Sequence, residues 1–230
     1  MVYNKGMKKQ YKSKQSSHFQ LPKALSENQL SFMNAIVDKD MVIATGPAGS
    51  GKTFLTAVYA AYYYHTGKVE KIVLTRPTVP TGKSIGFFPG DLQEKMAPWT
   101  APFISVLESY LSKGGVECMI KNGHLEIVPF EVIRGRTFDK AFVILDEAQN
   151  TTFTEMKAFV TRMGEDSKMI VNGDLDQSDL NTVTNGLSVL KTTLELRTNS
   201  KLASKVGLIN FTWDDIVRSE LCKLWVKAFG

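Results

Sequence analysis

Gly46-Pro47-Ala48-Gly49-Ser50-Gly51-Lys52-Thr53 is the stretch on which the reading of this chain turns. Its spacing is G-x-x-x-x-G-K-[ST], that of a phosphate-binding loop, which is informative only between a buried strand and a helix. Both flanks fit. Met41-Val42-Ile43-Ala44 is a short apolar run ending at the first glycine, and Phe54 to Tyr64 is rich in Ala, Leu and aromatics. The glycines let successive backbone N–H groups turn inward on a phosphate, and a helix start adds partial positive charge. Lys52 supplies a mobile cation for the β/γ-phosphates, and Thr53 a hydroxyl for magnesium. The alternative is a glycine-rich turn that matches by chance, against which both flanking elements weigh.

About ninety residues downstream, Ala141-Phe142-Val143-Ile144-Leu145-Asp146-Glu147 supplies what the loop lacks. Five apolar residues predict a strand buried on both faces, with two carboxylates emerging at its end. Asp146 suits a role holding magnesium through its water shell, and Glu147 that of the base polarising the attacking water. Two acids at a strand end can also cap the next helix. Here Thr152-Phe153-Thr154-Glu155 already forms a capping box for a helix carrying Met156, Phe159, Val160 and Met163. A further strand, Lys168-Met169-Ile170-Val171-Asn172, runs into Gly173-Asp174-Leu175-Asp176-Gln177. Gln177 is the candidate sensor of the γ-phosphate and Asp174 its supporting acid; a simple Asp-rich turn is the plainer reading.

Upstream, Ser26-Glu27-Asn28-Gln29 has capping-box form and predicts a helix from about Glu27 to Val37. Gln29 suits the glutamine of that box; Leu25-x-x-x-Gln29 just before the loop strand also resembles the adenine-reading Q motif of superfamily 1 helicases, whose amide both donates and accepts, and the two roles need not exclude each other. Lys71 to Thr75 predicts a second buried strand, feeding a loop that holds Arg76 and Lys83, with Phe87, Phe88 and Trp99 beyond. Cations interleaved with aromatics suit single-stranded nucleic acid; core phenylalanines and solvated cations are the alternative. Ile85 to Trp99 reads as irregular, with Pro98 and Pro102 bracketing the start of a helix that Lys113-Gly114-Gly115 stops. Leu125 to Val128 and Val206 to Phe211 read as strands. Thr212 is expected to cap a C-terminal helix that turns Ile216, Val217, Leu221, Leu224 and Trp225 inward and carries Arg218.

The 230 residues suit one α/β domain, spanning residues 25–230 after a basic, disordered segment over 1–24. Six lysines (Lys5, Lys8, Lys9, Lys12, Lys14 and Lys23) precede the first acid, Glu27, which is more than the whole net charge of +5. Such a tail can hold nucleic acid phosphates or merely aid solubility. No apolar run reaches the roughly 18–20 residues that cross a bilayer, and the basic start lacks the apolar segment of a secretory signal. Cys118 and Cys222 have no metal-ligand spacing and suggest reduced thiols, hence a cytoplasmic protein with no membrane partner.

On these residues the chain resembles the PhoH-like family of P-loop ATPases, close to its short phage-type members. The matching segments are GPAGSGKT, TRPTVPTG, IGFFPGDLQEKMAPW, IRGRTF, FVILDEAQNTT, TRMG, NGDLDQSDL and DDIVRSEL, spread from Leu25 to Leu221. The family is related to the N-terminal ATPase half of superfamily 1 helicases, where LDEAQ and GD-x-x-Q are motifs II and III. The resemblance implies a three-layer, RecA-like α/β fold with a mostly parallel sheet, ATP hydrolysis with Mg2+, and a link to RNA. It places nucleotide on Gln29, Gly46, Pro47, Ala48, Gly49, Ser50, Gly51, Lys52 and Thr53, metal on Thr53 and Asp146, and catalysis on Lys52, Asp146, Glu147 and Gln177.

Phosphoryl transfer also calls for an arginine to offset charge developing on the γ-phosphate. Superfamily 1 helicases take it from a second motor domain, which a chain of this length does not hold. The expectation is therefore a homo-oligomeric ring, such as a hexamer, with Arg134, Arg136, Arg162 and Arg218 as candidates and Arg136 and Arg218 preferred. Two functions follow: a motor or remodeller of single-stranded nucleic acid, RNA before DNA, or an ATP-gated scaffold without motor action.

Overall fold

Apolar runs of five or six residues, bounded by turns and helices, build the sheet. In this computed structural model, which describes residues 19–77, 92–180 and 185–229, they are β1 (Met41–Thr45), β2 (Lys71–Arg76), β3 (Leu125–Pro129), β4 (Ala141–Leu145), β5 (Lys168–Gly173) and β6 (Val206–Asn210). The sheet order is β3-β2-β4-β5-β1-β6 and every pair is parallel. The α/β fold expected from the sequence is thus present with an all-parallel sheet. A parallel sheet must be covered on both faces, and the strands divide their side chains accordingly. Val42, Ala44, Ile72, Leu74, Phe142, Ile144 and Ile170 meet helices α1 (Glu27–Asp38), α2 (Lys52–His65), α3 (Leu92–Leu111) and α4 (Lys113–Lys121). Met41, Ile43, Val73, Val143, Leu145, Met169 and Val171 face the other way, towards Met156 and Phe159 of α5 (Phe153–Val160) and Leu187 and Leu194 of α6 (Gly186–Glu195). Helix α7 (Lys201–Lys205) leads into β6, and α8 (Glu220–Phe229) ends the described chain.

Parallel strands bring all their carboxyl ends to one edge of the sheet, where ligands of such folds gather. β5 lies between the phosphate-loop strand β1 and the acid-bearing strand β4. The register pairs Thr75 with Leu145 and Thr45 with Gly173, so Arg76, Asp146, Gly46 and Asp174 emerge side by side.

Three local expectations need correction. Helix α3 already begins at Leu92 and takes both Pro98 and Pro102 inside it. Each proline removes a helix donor at a cost of about 3 kcal/mol, but Met96, Phe103 and Leu107 are buried along this helix and hold it together. Nor does Lys113-Gly114-Gly115 end the helical run: Ser112, at φ +66°, breaks α3 from α4 and caps the latter by accepting from the Gly115 N–H at 3.2 Å. The single C-terminal helix is in fact a one-turn 3-10 segment (Trp213–Asp215), an extended residue at Ile216, a non-helical link through Val217, Arg218 and Ser219, and then α8, so Arg218 stands off the helix expected to carry it. The interruption takes Ile216 out of phase with the later residues. Ile216 is buried, whereas Val217, Leu221, Leu224 and Trp225 are exposed rather than inward. Lys83, Phe87, Phe88, Pro89-Gly90-Asp91 and the basic tail lie outside the described residues, apart from Lys23 and its neighbours.

Candidate functional site: a phosphate loop facing two acids

The loop between β1 and α2 is fixed by its glycines. Gly46 sits at φ +132°, and a Cβ there would stand 2.3 Å from the Phe211 carbonyl oxygen, so no side chain fits. Gly51, at φ +92°, is the N-cap of α2, and its left-handed backbone turns the chain into the helix without a capping side chain. The loop is tied into the sheet on both sides: the Gly46 N–H donates to the Gly173 carbonyl at 3.2 Å, and Phe211 N–H to Thr45 at 2.7 Å. A third tie runs from the Val217 N–H to the Gly49 carbonyl at 2.9 Å. It brings Arg218 against the loop, with its Cγ and Nε 3.1 Å from where a Cβ of Gly49 would stand. Asp215 holds this segment to α1 by accepting from Asn28 Nδ2 at 2.8 Å and from the Thr212 N–H at 2.7 Å. Burial acts to raise the Asp215 carboxyl, but hydrogen bonds involving Ser26, Thr212 and Asn28 outweigh it and hold the group below its ordinary range.

Lys52 is buried and folds over its own loop, donating to the carbonyls of Gly46 at 2.6 Å and Pro47 at 2.8 Å and to Ser50 Oγ at 3.2 Å. Burial lowers its pKa, against the opposing pull of Asp174, Asp146 and Glu147. Thr53, one residue on, donates to Asp146 Oδ1 at 3.2 Å. Burial and the neighbouring Glu147 push the Asp146 carboxyl up to about 6, with Arg76, Thr53 and Lys52 pulling the other way. Asp174 is also raised, chiefly by burial. These are the signs expected where several acids crowd one partly dry cleft.

Glu147 has φ +55°, a left-handed conformation uncommon for a side chain of this kind and frequent at functional turns. Its Oε2 accepts from Gln149 Nε2 at 2.6 Å, and its Oε1 stands 3.5 Å from Arg76 Nη2. Gln149 is fully buried. Its Oε1 accepts from the Asp174 N–H at 3.0 Å, and Nε2 also reaches the Gln177 carbonyl at 3.4 Å. One amide therefore spans the proposed base and the proposed sensor segment. The sequence reading names neither Gln149 nor Arg76 for this site. LDEAQ and TRP are both visible as segments, but only the β4–β5 and β2–β4 neighbourhoods show where those side chains go.

Lys52, Thr53, Arg76, Asp146, Glu147 and Asp174 line a cavity of about 680 Å³, which also takes in Gln29, Trp99, Gln177 and Arg218. The size suits a nucleotide. Gln29 does not close the box bond to the Ser26 backbone. Its Oε1 accepts from the Leu25 N–H at 2.9 Å and its Nε2 donates to the Ser50 carbonyl at 3.0 Å, leaving one donor and one lone pair of the amide. Pro47, Ala48, Gly49 and Ser50 complete the loop, with Ser50 Oγ donating to the Pro47 carbonyl at 2.9 Å. Of the arginines, the structure brings Arg76 and Arg218 to the cavity but not Arg136. Arg136 is ion-paired with Glu126 and lies over the Phe138 ring at 5.1 Å. Arg162 donates to the carbonyls of Ala158 and Arg136, and Arg134 is exposed away from the lining.

The donor set fits magnesium better than any all-protein metal cage. Two hard oxygens, Thr53 Oγ1 and Asp146 Oδ1, stand together beside a phosphate loop, the arrangement in which Mg2+ completes its shell with phosphate and water. Among the described residues no group of three or more His, Cys, Asp or Glu side chains could hold a metal alone. No helix among them is long and apolar enough to cross a membrane.

Comparison with known proteins agrees with this geometry. The chain is 42% identical over 202 residues to a PhoH-like protein of Bacillus subtilis (strain 168), covering 87% of this chain and 61% of that one. It is 42% identical over 210 residues to Protein PhoH of Escherichia coli (strain K12), covering 90% and 58%. It therefore spans about three-fifths of the length of these relatives. Among solved structures, the large terminase of a thermophilic bacteriophage shares the fold, with a TM-score of 0.55 at 11% identity over 90% of this chain and 51% of that one. The same terminase in complex with ADP gives 0.51 at 14% identity, over 89% and 50%. The model for PhoH-like proteins matches residues 22–230, from just before Gln29 to beyond Arg218, and with the phosphate loop and paired acids in place this chain belongs to the PhoH-like family of P-loop nucleotide-binding proteins.

Proposed function

We propose that the chain is a Mg2+-dependent ATPase that couples hydrolysis to binding or remodelling of single-stranded nucleic acid, RNA in preference to DNA. The observation that carries the ATPase reading is the convergence of Lys52, Thr53, Asp146 and Glu147 on one cavity, from two strand ends that are not sheet neighbours. Lys52 exchanges the loop carbonyls for phosphate oxygens, Thr53 and Asp146 hold the metal, and Glu147 orients and deprotonates the attacking water. Magnesium held by Thr53 and Asp146 would supply charge neutralisation for the transferred phosphoryl group. Gln29 offers its remaining amide donor and acceptor to adenine, and Gln177 reports on the γ-phosphate.

The nucleic acid arm rests on the lysine-rich start, on the cations and aromatics that follow β2, and on the family resemblance. A ring of copies stays in the reading as a way to enclose a strand. Its chemical motive, borrowing an arginine, weakens because Arg76 and Arg218 line the cavity from within the chain. The test is ATP turnover at low salt with and without single-stranded RNA or DNA. Stimulation, larger with RNA, is expected. Turnover unchanged by either would leave an ATP-gated scaffold and remove the motor, and turnover surviving Lys52→Ala would move hydrolysis to another site.

A further inference from the structure

We propose that Arg76, at the end of β2, is a catalytic residue that supplies in cis the positive charge required as the γ-phosphate is transferred. The proposal rests on the reading of the cavity as an ATP hydrolysis site.

Three observations place it there. The β2–β4 register sets Thr75 opposite Leu145, and the Asp146 N–H donates to the Thr75 carbonyl at 3.0 Å, so Arg76 leaves the sheet level with the acid pair. Its Nη1 donates to the Trp99 carbonyl on α3 at 3.4 Å, which anchors one arm of the guanidinium, and the residue lines the cavity. The second arm, Nη2, is 3.5 Å from Glu147 Oε1. A closed N–H···O⁻ pair measures about 2.7–2.9 Å, so this contact is loose.

A guanidinium carries five N–H donors in a planar fork. The Trp99 bond and the Glu147 contact lie on its two terminal nitrogens, and the same cation pulls on the Asp146 carboxyl, so the fork sits against both acids. The water that Glu147 activates must lie between its carboxylate and the γ-phosphate. A cation touching that carboxylate is therefore within reach of the same oxygens. Arg218, the other arginine of the cavity, packs against Gly49, whereas Arg76 is the arginine paired with Glu147. Arg136, Arg162 and Arg134 do not line the cavity. A competing use of Arg76 is to restrain Glu147, and the two uses predict opposite changes in turnover.

The experiment compares wild type, Arg76→Ala and Arg76→Lys in three measurements: ADP binding, capture of ADP with aluminium fluoride and Mg2+ as a mimic of the transferring phosphoryl group, and steady-state hydrolysis. For Arg76→Ala the expected result is ADP binding within about threefold of wild type. Capture of the fluoride complex is lost, and kcat falls about 10²–10³-fold. Arg76→Lys, which keeps the charge without the fork, recovers part of both and keeps the test open if the alanine form melts early. Mixing Arg76→Ala with Lys52→Ala should restore no activity, because both groups serve the same site. Unchanged or raised kcat, retained capture, or recovery on mixing would each overturn the assignment. A wild-type protein that binds no nucleotide would instead overturn the reading of the cavity, and this proposal with it.

Discussion

At the scale of single residues the site is a set of side chains already committed to one another, and this sets what each substitution should do. Glu147→Gln removes the carboxylate proposed as the base while keeping shape and most hydrogen-bonding capacity. It should bind ATP as wild type does and turn it over at least about a hundredfold more slowly. Gln149 is the residue whose effect is hardest to foresee from sequence alone. Its loss leaves Glu147 Oε2 and the Asp174 N–H without their partner, inside a buried pocket. Gln149→Ala should therefore lower kcat about ten- to a hundredfold with little change in KM. Its effect should be non-additive with Glu147→Gln in a double-mutant cycle, since its amide donates to the Glu147 carboxylate itself. Independent effects would show that Gln149 merely packs.

At the scale of elements, Lys168 offers a test of how α1 meets the sheet. It opens β5, is buried, and donates to the carbonyls of Val37 and Lys39 where α1 ends. Burial lowers its pKa to about 8, from 10.5 in the open chain, despite the counter-pull of Asp40. Between these values the unfolded chain holds more protons than the folded one, so this group makes stability rise with pH from about 8 towards 10.5. The melting temperature of wild type relative to Lys168→Met should accordingly increase from pH 7 to pH 9.5; a constant difference would show no such linkage. The elements also show where sequence is legible. Met41–Thr45 and Ala141–Leu145 are apolar runs with no competing period, flanked by chemistry that admits few alternatives, and both form where expected. Helix α3 departs from expectation because Pro98 and Pro102 are local breakers, whereas the burial of Met96, Phe103 and Leu107 is decided by α2 and the sheet. The C-terminal helix departs for the converse reason. Thr212 does cap a turn, but the break at Ile216 is set by the tie from Val217 to Gly49, a contact distant in sequence. Arg76 likewise reads as a loop cation because only strand order reveals that β2 neighbours β4.

At the scale of the whole molecule, the all-parallel sheet gathers the phosphate loop, the acids, Gln177 and Arg76 on one edge, and the remaining question is what the chemistry drives. If the lysine-rich start engages RNA, deleting residues 1–18 should weaken binding and flatten its dependence on salt, because fewer counterions are released. An unchanged salt slope would mean that RNA is held elsewhere or not at all. Molecular size in solution, measured alongside turnover, separates a ring that encloses a strand from a monomer that works with its own arginine. Both arrangements presuppose hydrolysis in this cavity. ATP binding and steady-state turnover, measured side by side on wild type and Glu147→Gln, test that most directly. The prediction is equal binding with turnover at least about a hundredfold lower in the variant; equal turnover would contradict the account.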